Sequence, residues 1–237
     1  MLPACPTIAA VAWWRTECPV RPEEQAWIDE SMDWLRAQFG NMRLYGAVVL
    51  PTDDYFPGVY EGSREDVLGV VARIAEHMDV DRNNVDVEFE EDEDDGRDVL
   101  PVHWEFQGAA GDYRVVDGRS IIGIRRRKAE APMALVATIA HELGHYLLDG
   151  HDRRPDLEPL TDLLTVYFGL GIFSANAAFE YSTRGRTRQG YLTEPMYGYG
   201  LARYALMRGE PDPAWARHLD TNPRSFLKQG LRYLHRS

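Results

Sequence analysis

The order of elements predicts an α+β protein: a small mixed or antiparallel sheet packed on one buried helix, followed by a helical C-terminal half. Three observations carry this expectation. All strand-like alternations lie at or before Arg125. An apolar, helix-spaced run then extends from Pro132 to Leu148. From Pro159 onward every periodic segment has helical spacing. A chain of 237 residues suits a single domain, 1–237, with a helix-and-sheet part over about 1–130 and a helical part over about 131–237.

The elements follow in order. Pro22 to Phe39 spaces Trp27, Ile28, Met32, Trp34, Leu35 and Phe39 as the apolar face of a helix, and Gly40-Asn41 is its stop. Arg43 to Leu50 reads as a strand ended by Pro51, and Thr52 to Gly62 as a loop. Ser63 is an N-cap for a helix from Arg64 to about Met78, with Glu65 and Asp66 in its first turn. Val85 to Phe89, Val102 to Phe106, Tyr113 to Val116 and Ser120 to Arg125 read as strands, the last two joined by a hairpin signal at Asp117-Gly118. A strand directly before the Pro132 helix matters for function, because in this layout an edge strand can take up an extended peptide. Helices are expected at Leu160–Phe168, Phe173–Tyr181, Thr193–Met207, Pro213–Leu219 and Pro223–His235.

Within the central helix stands His141-Glu142-Leu143-Gly144-His145, an HExxH pattern. Helical residues four apart share a face, so both imidazoles can point at one ion, with Glu142 beside them as a base for an attacking water. That is the layout of a zinc hydrolase: His141 and His145 as metal ligands, Glu142 as catalytic residue and Zn2+ as cofactor. The competing reading, two solvated histidines on a surface helix, is opposed by Leu143 and Leu147, which mark the helix as buried. Three protein ligands are expected at a catalytic zinc, so a third is sought downstream. Glu158 and Asp162, four apart at the start of an apolar helix, are candidates; each can instead serve only to stabilise that helix N-terminus. Pro159 disfavours helical geometry at Glu158, which places Glu158 at the N-cap. If that position points away, Asp162 becomes the ligand. His151 is a third candidate, at the outer spacing of HExxHxxGxxH, although Leu148 stands where that pattern has Gly. Met196 could then pose as a Met-turn, but it reads more simply as part of a helix or turn.

With HExxH on one helix and Glu158-Pro-Leu-Thr-Asp162 on the next, the chain resembles the gluzincins, zinc metallopeptidases that pair HExxH with ExxxD. The resemblance implies a zincin-like fold and hydrolysis of peptide or protein substrates. It implies that Glu158 binds zinc and that Asp162 accepts a hydrogen bond from a zinc-bound histidine. The run from Glu158 to Asn176 is also similar to bacterial proteins with an HELGH motif, a likeness over roughly residues 130 to 208 that supplies no substrate. Two alternatives stay open: a catalytically silent zinc-binding regulatory or interaction module, and a metal hydrolase of non-peptide amides.

Composition excludes other classes. With 44% hydrophobic and 27% charged residues the chain is globular rather than disordered. A net charge of -12 argues against nucleic acid and anionic membranes as partners. No apolar run is long enough to span a bilayer, and Met1 to Trp14 lacks the basic region of a secretory signal. The only cysteines are Cys5 and Cys18, which fits a reduced, cytoplasmic protein. The acidic run Glu90 to Asp95 and the basic run Arg125 to Lys128 are read as a solvated loop and a solvated connector.

Overall fold

The computed structural model describes residues 17–90, 111–116, 119–125, 129–150, 154–183 and 191–236. Among them the chain is mixed α/β and mostly helical, with seven α-helices and one three-stranded sheet. In chain order these are α1 (Pro22–Leu44), α2 (Arg64–Met78), β1 (Val85–Glu90), β2 (Gly111–Val116), β3 (Arg119–Arg125), α3 (Pro132–Leu147), α4 (Leu157–Tyr167), α5 (Gly171–Thr183), α6 (Glu194–Met207) and α7 (Thr221–Leu234).

α1 buries Ile28, Met32 and Leu35. Gly40 breaks its helical path at φ 75°, where a side chain would be strained, and a further turn carries the chain to Leu44. The strand expected over Arg43 to Leu50 is therefore absent: Leu44 closes α1, and residues 47–50 form no regular secondary structure. Val49 N–H donates to Gly169 O at 3.0 Å. Gly169 holds φ 80°, and a Cβ on it would meet Ala47 O at 2.7 Å, so a glycine is needed for that approach. An alternating apolar pattern thus forms a wall of the core here rather than a strand. α2 starts as expected: Ser63 Oγ accepts from Asp66 N–H, and Asp66 Oδ2 accepts from Ser63 N–H, both at 3.1 Å.

The sheet has the order β1-β3-β2, with β1 parallel and β2 antiparallel to β3. Its register aligns Val87 with Ile122 and Phe89 with Ile124, so these four apolar side chains share one face. The opposite face carries a bidentate pair from Arg119 to Asp86, at 2.6 and 2.8 Å, and an Arg114–Glu88 pair. The strand directly before the central helix is the middle strand, paired on both sides. It has no open edge for a peptide, and among the described residues the outer positions belong to β1 and β2. The segment Val102 to Phe106, the turn at Asp117-Gly118 and residues 126–128 of the basic run lie outside the described residues. So do Cys5 and all of the acidic run except Glu90, which ends β1.

α3 is the centre of the molecule. It touches β2, β3, α2, α4 and α5. This accounts for Leu135, Ile139, Ala140 and Leu143 being fully buried. α4 begins at Leu157, three residues before its expected start. The helical segment expected at Pro213–Leu219 is a short 3-10 turn, Ala214–His218. α6 is capped by Thr193 and packs on α7 and α1. Among the described residues no helix is long and apolar enough to cross a membrane.

Candidate metal centre

α3 brings His141 and His145 to one face, one helical turn apart, with their rings edge to face at 4.8 Å. Their Nε2 atoms are 3.2 Å from each other. Glu158 Oε2 closes the triangle, 3.2 Å from His141 Nε2 and 3.4 Å from His145 Nε2. Among the described residues, these three form the group able to offer ligand atoms to one ion.

Glu158 reaches this position from inside α4, not from its N-cap. The cap is Asp156, and Pro159 falls in the first turn, where a helix has no partner for its missing N–H. The steric bias that proline places on its predecessor is overridden by an anchored start. Asp156 accepts from Arg154 at 3.0 and 2.8 Å and from the Trp27 indole N–H at 2.9 Å, and Arg154 stacks over the ring of Trp34. Two tryptophans of α1 thereby fix where α4 begins. Arg154 and the indole hold the Asp156 carboxyl down at about 2, against the upward effect of its partial burial.

Asp162, one turn beyond Glu158, faces the other nitrogen of His141. Its Oδ1 lies 2.9 Å from Nδ1, and its Oδ2 accepts from the backbone N–H groups of Tyr191 at 2.7 Å and Leu192 at 3.1 Å. These three contacts orient the carboxylate, which in turn places a proton on Nδ1 and leaves Nε2 facing Glu158 and His145. His141 is 8% exposed, Glu142 1% and Asp162 4%, so the inner part of the cluster is shielded from water.

Charge is organised around this triangle. Burial alone would lower the pKa of His141, but Asp162 and Glu158 outweigh it and raise it to about 10. Burial pushes Glu158 upward, and the two imidazoles more than reverse that, holding it down at about 2. His141 thus holds a proton against the ionised Glu158, and a metal cation binding there would displace that proton. Its donor set also fits zinc. Two imidazole nitrogens and a carboxylate are zinc-type ligands, and tetrahedral coordination at ordinary Zn–N and Zn–O lengths separates neighbouring donor atoms by ~3.3 Å.

Of the other residues singled out in the sequence, His151 lies outside the described residues. Met196 sits in the first turn of α6 with its N–H on Thr193 Oγ1, which is a helix start rather than a separate turn. Tyr197 is buried in the core, and Tyr199 donates to Asp29, so both are structural. Tyr191 differs. Its ring stacks on His141 at 6.4 Å and 11° between planes. Its hydroxyl pKa is raised by burial and by Glu158, Asp162 and Glu142. No local pattern marks it among 12 tyrosines; only the fold brings residue 191 back to residue 162. No family model matches this chain, and neither a curated protein nor a solved structure shows significant similarity to it.

Proposed function

We propose that this protein is a zinc-dependent hydrolase of peptide bonds, of gluzincin type on a zincin-like fold. Zinc would be held by His141, His145 and Glu158, with Asp162 as the outer partner of His141. The observation that carries the reading is the triangle of two Nε2 atoms and one carboxylate oxygen, with edges of 3.2, 3.2 and 3.4 Å, built beside a buried glutamate on the same helix. Zinc bound there would acidify a water and polarise a carbonyl oxygen.

The remaining work falls to the chain's own groups. Glu142 is next to His141, and its charge is felt by both His141 and Tyr191. As general base it takes a proton from the attacking water and returns it to the leaving amine nitrogen, a contribution of about 10²–10⁴ in rate. Tyr191 keeps its proton at neutral pH and so can donate a hydrogen bond to the oxygen on which charge develops. Asp162 and the two backbone N–H groups behind it keep His141 from turning as charge moves.

The test combines zinc content with hydrolysis. Purified protein is expected to retain about one zinc per chain and to cleave a denatured protein mixture. Glu142→Gln is expected to keep the zinc and lose turnover by at least about 10²-fold. Unchanged turnover in Glu142→Gln overturns the mechanism. Zinc retained without any cleavage points to a binding module, and cleavage of simple amides but not peptides points to a non-peptide amidase.

A further inference from the structure

Gly144 lies in the last turn of α3, between the two histidines, on ordinary helical backbone. Nothing in its conformation calls for glycine, and alanine there would favour the helix by about 1 kcal/mol. Space is what excludes it. A Cβ on Gly144 would stand 2.8 Å from Thr161 Cγ2, 3.6 Å from Leu164 Cδ2 and 3.7 Å from Thr161 O. The first distance is roughly 0.7 Å short of the ~3.5 Å at which carbon contacts become favourable. Thr161 has no freedom to turn aside. It is fully buried, its side chain is β-branched, and its Oγ1 donates to Leu157 O at 2.9 Å, which leaves the methyl against α3.

The place of this contact matters more than its tightness. Gly144 precedes His145 and is one turn beyond His141. Thr161 precedes Asp162 and is one turn beyond Glu158. This tight contact of α3 with α4 therefore falls in sequence between the two histidines on one helix and between the two carboxylate residues on the other.

We propose that Gly144 is a positioning residue: by admitting the Thr161 methyl it sets the separation of α3 and α4, and that separation sets the spacing of Glu158 and Asp162 from the two histidines. The inference rests on the reading of the cluster as a metal site. Metal–ligand lengths tolerate only about 0.2 Å of error, so a forced shift of several tenths of an ångström between the helices spoils the donor set.

The experiment measures zinc affinity by competition with a chromophoric chelator, and thermal stability with zinc removed, for the wild type, Gly144→Ala, Thr161→Ser and Gly144→Ala/Thr161→Ser. Serine keeps the hydroxyl bond to Leu157 and deletes the offending methyl. Gly144→Ala is expected to bind zinc about 10- to 100-fold more weakly, as for loss of an outer-shell partner. The double variant is expected to return to within about threefold of Thr161→Ser, since the clash is gone. Wild-type affinity in Gly144→Ala overturns the proposal, as does a double variant no tighter than Gly144→Ala. If Gly144→Ala does not fold, the double variant decides: folded with zinc affinity near that of Thr161→Ser it supports the proposal, and unfolded or weakly binding it overturns it. A wild type that binds no zinc at all would instead overturn the metal-site reading.

Discussion

Replacing Asp162 by asparagine changes almost nothing in shape and reverses the hydrogen-bond logic of the centre. In the wild type both carboxylate oxygens accept: Oδ2 from the N–H groups of Tyr191 and Leu192, Oδ1 from His141 Nδ1. Asparagine has one accepting oxygen and one donating NH2. If the oxygen stays with the two backbone donors, the NH2 meets Nδ1, which must then give up its proton and accept. The neutral imidazole proton moves to Nε2, the atom 3.2 Å from both Glu158 and His145, and a protonated nitrogen cannot bind a metal. If the amide flips, two buried N–H groups face another donor, at about 1–3 kcal/mol each. The first arrangement is the less costly, so the effect appears chiefly in metal binding. Zinc affinity is expected to fall about 10- to 100-fold, equivalent to ~1.4–2.7 kcal/mol. The assay is chelator competition at neutral pH, with circular dichroism verifying that the variant is folded. A folded Asp162→Asn protein with zinc affinity within about threefold of wild type would refute the tautomer argument.

Three further outcomes follow from particular side chains. Tyr191→Phe is expected to leave zinc affinity unchanged and lower kcat about 10- to 100-fold with little change in KM; a changed zinc affinity with unaltered kcat would assign Tyr191 to structure instead. His77 has its pKa lowered by burial, only partly offset by its 2.7 Å bond to Phe168 O, with Arg43 adding to the lowering. The unfolded chain therefore takes up this proton first, so the contribution of His77 to stability is present above the ordinary histidine value of ~6.5 and is lost as pH falls below it. Between pH 7.5 and 5.5 the melting temperature of His77→Gln should drop less than that of the wild type, and equal drops would contradict the assignment. Ile139→Ala removes a fully buried side chain from the central helix. It should cost about 2–5 kcal/mol and lower Tm by roughly 5–15 °C, and a shift under about 2 °C would show that α3 is not the packing centre.

The features legible in the amino-acid order alone are local. The four-residue spacing of His141 and His145 dictates one helix face, and the periodicity through Leu135, Ile139 and Leu143 dictates that this helix is buried, because both follow from 3.6 residues per turn. Ser63 and Thr193 announce helix starts through bonds made within one turn, and Pro132 through a ring whose fixed φ suits a first helical position. Tertiary structure decided whatever depends on one element meeting another. Residues 47–50 have a strand-like composition but no strand partner among the described residues, so they stay irregular, with Val49 bonded to Gly169. The strand before α3 became the middle of the sheet because β1 pairs with it in parallel, which its own alternation cannot encode. Pro159 alone would expel Glu158 from the helix; Trp27 and Arg154, holding Asp156, keep the turn helical and aim the carboxylate at the imidazoles. Glu158 and Asp162 could not be told apart by spacing, since their faces are set by the distance and angle between α3 and α4. That distance is settled where a glycine of one helix meets a threonine methyl of the other, a contact in which neither residue carries a signal until the helices are packed.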